Sequence, residues 1–293
     1  SEIIGLILGA YVLSMIRGEH QSKGGSSPII RFILGFFVMI GALMFLGCPI
    51  RMILRLGGGD LNALFGIAGF DGGIGFGTIF LKKGYSLQRT YALSKLESAM
   101  MPAIQVGLLV LVVAAPAFIF FSQKGPGAMH APWLISLAAG LVVGGLSQVS
   151  RLCTVGGFRD LFLFKKSILI FGYLAVLIGV FVVNISFGNF HLGFENQPIA
   201  HTDGLWNFLG MALAGFCSVL LGGCPLRQLI MTGEGNSDSA VTVLGLAAGA
   251  AFAHNFGLAA SGAGPTLNGQ IAVGVGFVVA LIIAILNTKR ANA

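Results

Sequence analysis

Leu46-Gly47-Cys48-Pro49-Ile50-Arg51 and Gly222-Gly223-Cys224-Pro225-Leu226-Arg227 read alike, as Gly-Cys-Pro-[Ile/Leu]-Arg. Each closes a long apolar run, 29–46 and 204–222. Each is followed by a short amphipathic stretch and then a glycine-rich segment, Gly57-Gly58-Gly59-Asp60 and Gly233-Glu234-Gly235-Asn236. Proline removes a backbone N–H and fixes φ, so both apolar runs must break at the cysteine. A third run, 132–149, ends in Ser150-Arg151-Leu152-Cys153-Thr154-Val155-Gly156-Gly157-Phe158-Arg159-Asp160. A broken helix in lipid leaves backbone groups unsatisfied, at a cost of several kcal/mol each. Such breaks are tolerated where the backbone lines a cavity.

Composition places these runs in a membrane. Of 293 residues, 56% are hydrophobic and only 9% are charged, against about 25% charged in soluble domains. So few charges cannot cover a soluble fold. The net charge of +7 comes without a basic cluster interleaved with aromatics, which argues against nucleic acid as a partner. The apolar content excludes disorder, and 45 glycines suit close helix packing. Long apolar runs without alternation predict an all-α polytopic membrane protein. Spans are expected at 3–16, 29–46, 61–81 (interrupted by Asp71-Gly72-Gly73), 98–123, 132–149, 167–194, 204–222, 240–258 and 269–287. That is nine crossings, three of them broken by cysteine-containing pore loops. The chain starts at Ser1 on an apolar segment, and no signal peptide is visible.

Basic residues gather in the connections 17–31, 82–97 and 165–166 and in the tail (Lys289, Arg290), whereas 185–203 and 259–268 hold no Lys or Arg. Nine crossings starting outside put every basic connection in the cytoplasm, as the positive-inside rule requires. The expected location is therefore a bacterial inner membrane with a cytoplasmic C-terminus. The spans preceding the two Gly-Cys-Pro copies then run in opposite directions. This predicts an inverted repeat inside a single transmembrane domain, 1–293, with half-repeats 1–121 and 132–287. Cys153 precedes Cys224 by 71 residues, and an equivalent that far before Cys48 would fall ahead of Ser1. The first half is accordingly expected to lack an N-terminal piece.

Each break pairs a cysteine with arginine: Cys48 with Arg51, Cys224 with Arg227, and Cys153 with Arg151 and Arg159. Helix N-termini attract anions, and intramembrane arginines are costly and usually functional. A thiol is polarizable and a weak donor, so it suits a soft sulfur or selenium atom better than a hard phosphate oxygen. The expected ligand is a small soft anion. Cys217, away from any break, reads as packing; Asp160 reads as the ion-pair partner of Arg159; His254 reads as a structural histidine or a proton relay. The four cysteines form no C-x-x-C pair, so neither a zinc site nor a thioredoxin-like motif is expected. No H-E-x-x-H, Walker A or Ser/His/Asp pattern is present, and no metal, cofactor or enzymatic activity is expected. Gly73-Ile74-Gly75-Phe76-Gly77 matches a dinucleotide loop only as a string, with no strand before it.

These motifs resemble a known family. Residues 45–63, from Phe45 through Gly57-Gly58-Gly59-Asp60-Leu61-Asn62 to Ala63, together with Arg151…Arg159-Asp160 and the second Gly-Cys-Pro-Leu-Arg, are similar to the YeeE/YedE family of sulfur-compound membrane transporters. The opening Glu2-Ile3-Ile4-Gly5, the Gly24-Gly25-Ser26-Ser27-Pro28 segment and the Gly-Gly-Gly-Asp-Leu-Asn form look most like its YedE branch, described as selenium-metabolism membrane proteins. The resemblance implies an hourglass of helices and pore loops with cysteines at the constriction, matching Cys48, Cys153 and Cys224, which pass a thiosulfate-type anion by transient S–H contacts. It also implies a cytoplasmic sulfur-carrier partner of the TusA-like type. The main expectation is import of a small sulfur- or selenium-containing anion. Two other classes compete: a membrane thiol-redox protein passing electrons through its cysteines, and a membrane anchor for a sulfur-carrier protein.

Overall fold

In the computed structural model, which describes residues 1–114, 131–165 and 168–288, the apolar runs are helices. In chain order they are α1 (Glu2–Ile16), α2 (Pro28–Phe45), α3 (Pro49–Gly57), α4 (Asn62–Lys82), α5 (Lys95–Ala114), α6 (Trp133–Ser150), α7 (Thr154–Phe164), α8 (Leu169–Ser186), α9 (Gly204–Leu221), α10 (Pro225–Gly233), α11 (Ser237–Asn255) and α12 (Leu267–Leu286). Two short strands, β1 (Lys23–Gly24) and β2 (Tyr91–Ala92), pair antiparallel with Lys23 opposite Ala92. The charge argument also used Lys124, Lys166, Lys289 and Arg290, and the expected 98–123 span ends at 123; these positions lie outside the described residues.

Seven helical segments are long and apolar enough to cross a membrane: Pro28–Gly57, Asn62–Lys82, Lys95–Ala114, Trp133–Phe164, Leu169–Ser186, Gly204–Gly233 and Leu267–Leu286. Among the described residues, seven of the nine expected crossings thus meet the criterion of length and composition. α1 is shorter, at 15 residues. α11, which opens on Ser237-Asp238-Ser239 and closes on His254-Asn255, is not among them. Large apolar side chains such as Ile135, Val142, Phe171, Val182, Ile271 and Val278 stand exposed along these helices. An apolar surface that wide is what a bilayer covers. The protein is a multi-pass membrane protein.

The chain divides into two compact units. The first comprises Ser1–Pro28, Arg89–Leu152 and Arg227–Val241. In it α1 packs along α6. Gly5 and Gly9 of α1 face the backbone of Leu137 and Leu141, and Gly140 and Gly144 face Glu2 and Leu6 in return, so the two backbones approach at van der Waals distance. The second unit comprises Ile29–Gln88, Cys153–Leu226 and Thr242–Ala293. Its core gathers Leu34, Val38 and Met44 of α2, Leu213, Phe216, Cys217 and Leu220 of α9, and Val273, Ala280 and Ala284 of α12.

The expected interruption at Asp71-Gly72-Gly73 is absent, for α4 runs unbroken from Asn62 to Lys82. Glycine inside a helix costs about 1 kcal/mol against alanine, and packing returns that cost here. Gly69 and Gly73 lie against the Phe208 and Ala212 carbonyls of α9, where any Cβ would collide. Cys217 lies seven residues before Cys224, a spacing that would put both on one face of a continuous helix, but α9 stops at Leu221.

Candidate functional site

The three broken runs follow one backbone plan. α2, α6 and α9 each end three residues before a cysteine, at Phe45, Ser150 and Leu221. The next residue turns left-handed in every case: Leu46 at φ 63°, Arg151 at φ 54°, Gly222 at φ 83°. Glycine takes that conformation freely, whereas a side chain pays about 1–2 kcal/mol for it. Then comes the cysteine, and a short helix starts on the following residue, α3 at Pro49, α7 at Thr154 and α10 at Pro225. Cys48 and Cys153 are the N-caps of their helices. The Cys153 sulfur accepts from the Gly156 N–H at 3.3 Å. The Cys48 thiol faces the N–H groups of Ile50 and Arg51. Each thiol therefore sits at the positive end of a helix, where anions are favoured.

Cys48, Cys153 and Cys224 all belong to the second unit and meet there. Cys153 and Cys224 are hydrogen-bonding neighbours, and Cys48 lies within electrostatic reach of Cys224. Tyr173 of α8 is close enough to all three cysteines to feel them, with its hydroxyl beside Thr154. Cys153 and Cys224 are buried, as are Thr154 and Tyr173, and Cys48 is half-buried. Two buried hydroxyls beside this cluster, Thr154 Oγ1 and Tyr173 Oη, make no well-formed hydrogen bond among the described residues, and neither does Arg51 Nε. Unsatisfied buried polar atoms cost about 1–3 kcal/mol each and call for a partner. Thr154 and Tyr173 escaped the sequence reading, since a tyrosine within the apolar run 167–194 gives no local signal of what it meets.

The arginines divide. Arg51 stands one turn into α3, beside Cys48. Arg159 is bound to its neighbour Asp160, Nη2 to Oδ1 at 2.8 Å, as their adjacency suggested. Arg151 and Arg227 fall in the first unit and are held there by carboxylates. Arg227 grips Glu234 with two hydrogen bonds of 3.2 and 3.0 Å. Arg151 spans Glu234 at 3.2 Å and Glu19 at 2.9 Å. Glu19 also accepts from Arg17 and from Gln148, and those hydrogen bonds, Arg17 first, hold its carboxyl below the usual range. The cluster borders a cavity of about 300 Å³ with Lys23 and Asn236. The two Gly-Cys-Pro copies therefore differ: Glu234 neutralises the arginine three residues after Cys224, while the arginine three residues after Cys48 keeps a free Nε. In the first copy Asp60 pairs with Arg55 instead, at 2.6 Å, where the second copy has Met231.

Cys217 is fully buried in the core cluster, consistent with packing. His254 sits exposed in the last turn of α11. Among the described residues no group of three or more His, Cys, Asp or Glu is placed to hold a metal ion.

The end of α2, which sets the position of Cys48, is held from outside the helix. Its last carbonyls would otherwise be orphaned. Leu43 O accepts from the Ala260 N–H at 3.2 Å, Met44 O from His201 Nε2 at 2.8 Å, and Phe45 O from Arg55 Nη1 at 2.6 Å. Burial pushes the His201 imidazole below its usual 6.5, so the ring is neutral at pH 7. Protonation would add a hydrogen at Nδ1, which is buried without a partner. With the folded value lowered, the unfolded chain takes up the proton first. The stability this site contributes is then complete above about pH 6.5 and is lost as pH falls from there through the folded value. The unfolding midpoint in detergent should drop across that window, and His201→Gln, which keeps a donor without titrating, should flatten the drop. An unchanged slope in His201→Gln would remove His201 from this role.

Residues 149–289 match a family model described as sulphur transport. The matched region contains Cys153 and Cys224 with Thr154 and Tyr173, and Cys48 lies ahead of it. No curated protein matches the chain.

Proposed function

Since residues 149–289 match the sulphur transport family model, we propose that the protein imports a small sulfur- or selenium-containing anion of the thiosulfate type across a bacterial inner membrane. The observation that carries this reading is the meeting of Cys48, Cys153 and Cys224, each at the start of a short helix, beside polar atoms with no partner of their own. Arg51 and the helix N-termini draw the anion in. The thiols offer S–H contacts to its terminal sulfur or selenium, and Tyr173 and Thr154 offer O–H donors to its oxygens. Arg227 and Arg151, already neutralised by Glu234 and Glu19, hold their own elements and do not touch the cargo. The inverted repeat, the YedE-type preference for selenium, the cytoplasmic C-terminus and delivery to a TusA-like sulfur carrier complete this reading. Uptake into liposomes of labelled thiosulfate, selenite and sulfide by the purified protein tests it and selects the cargo. Saturable uptake of one species is the expected result; no uptake of any, with or without the carrier protein, would defeat it.

The neighbouring thiols of Cys153 and Cys224 also favour a second reading, in which a disulfide forms and is reduced again as electrons pass. The geometry predicts that mild oxidation joins these two cysteines, protects both from alkylation and stops uptake until a reductant is added. During turnover with the anion both should stay alkylatable as thiols. Disulfide accumulation in step with substrate consumption would favour the redox protein over the transporter.

A further inference from the structure

Asp71 lies at the middle of α4, tenth of its 21 residues, and α4 is one of the segments able to cross a membrane. At a rise of about 1.5 Å per residue it sits near the centre of the hydrocarbon layer. Among the described residues it has no ion pair, and its Oδ1 is buried with no hydrogen-bond partner. The helices packed on α4 are α3, α7, α9 and α12. α9 and α12 carry no Asp, Glu, Lys or Arg. On α7, Arg159 and Asp160 bind each other. On α3, Arg55 is bound to Asp60, and Arg51 stands beside Cys48. Among the described residues none of these cations is paired with Asp71, and an unpaired charge at that depth is expensive. Its cheapest form there is the neutral acid.

The carboxyl is also placed where its state can matter. Gly75, one turn on and on the same face, lies against the Phe162 ring of α7, and α7 starts at Cys153. α4 also packs on α3, which starts at Cys48. Importing an anion into a negative interior works against the membrane potential, and a proton carried with it offsets one unit of that charge.

We infer that Asp71 is a proton-binding site that couples proton entry to import of the anion. The carboxyl takes a proton from the outer aqueous side, crosses the cycle neutral, and releases the proton inside. This rests on the transport reading for its purpose but not for its chemistry, so two measurements separate the two. The first is the carboxylic C=O stretch in infrared difference spectra of the reconstituted protein at pH 7, wild type minus Asp71→Asn. A protonated-acid band lost in the variant is expected; its absence overturns the proposal whether or not the protein transports. The second is labelled-thiosulfate uptake into liposomes with and without an inward proton gradient. Wild type should be accelerated about tenfold by the gradient. Asp71→Asn should lose that acceleration while still exchanging labelled for unlabelled thiosulfate, which shows that it is folded, and Asp71→Glu should regain it. Equal acceleration in Asp71→Asn overturns the coupling. Wild type that takes up none of thiosulfate, selenite and sulfide but shows the acid band refutes the transport reading and the coupling with it, and leaves the protonated acid established.

Discussion

Cys224→Ala and Cys48→Ala should each reduce anion uptake to background, a loss of at least about tenfold, since each 1.4 kcal/mol of lost contact is a factor of ten. The expected effect is large because, on the pathway proposed above, the thiols act in series. Cys224 neighbours both Cys153 and Cys48, so deleting it interrupts the path from either side. The fold should survive. The substitution removes one sulfur atom from a buried site, and a small deletion of that kind costs on the order of 1 kcal/mol. Cys217→Ala is the matched control: it is equally buried but sits among Leu213, Phe216 and Leu220 in the core. It should cost comparable stability and leave uptake near wild type. Wild-type uptake in both Cys48→Ala and Cys224→Ala would end the relay idea, and a Cys217→Ala variant as inactive as they are would mean that packing, not chemistry, is being measured.

The second large effect is on stability. Asp60→Ala should destabilise the protein by about 3–5 kcal/mol, the range for removing one partner of a buried ion pair. Arg55 and Asp60 have side chains only 5% and 3% exposed. Asp60 also accepts from the Asn62 N–H and from its Nδ2, both at 2.9 Å, and Asn62 passes on to the Phe194 carbonyl at 2.7 Å. Arg55 lies 4.0 Å above the Phe45 ring and donates to the Phe45 carbonyl. Without Asp60, a guanidinium is left in an apolar setting and the end of α2 loses its clamp, so Cys48 should be misplaced as well. Replacing both partners together, as Arg55→Met with Asp60→Leu, should restore much of the stability but not the uptake, because no hydrogen bond then reaches Phe45 O. Thermal unfolding in detergent checks the first part and uptake the second. An Asp60→Ala midpoint equal to wild type would show that the pair contributes nothing.

Much of this architecture was legible in the residues themselves. An apolar run with no strand alternation can satisfy its backbone in lipid only as a helix, and a Gly-Cys-Pro sequence must stop that helix because proline withdraws an N–H. The resemblance of Cys48, Cys153 and Cys224 to a sulfur-transport pattern was equally local, and the sulphur transport model matches 149–289, a region that holds Cys153 and Cys224 but not Cys48. The Asp71-Gly72-Gly73 break does not form, because glycine's cost is visible in sequence while its compensation, the carbonyls of Phe208 and Ala212 on α9, comes from residues more than a hundred positions away.

What only the tertiary structure decided is which polar groups find each other. Arg51 and Arg227 occupy equivalent places in the two Gly-Cys-Pro copies, yet Glu234 binds Arg227 while Asp60 turns to Arg55 and leaves Arg51 Nε without a partner among the described residues. Tyr173 is one aromatic in an apolar helix until packing sets its hydroxyl beside Thr154 and the cysteines. Sequence determines where a backbone must bend and which side chains are chemically able. Charge pairing and burial depend on distances between segments remote in the chain, and those distances decide which of the able groups remain free to act.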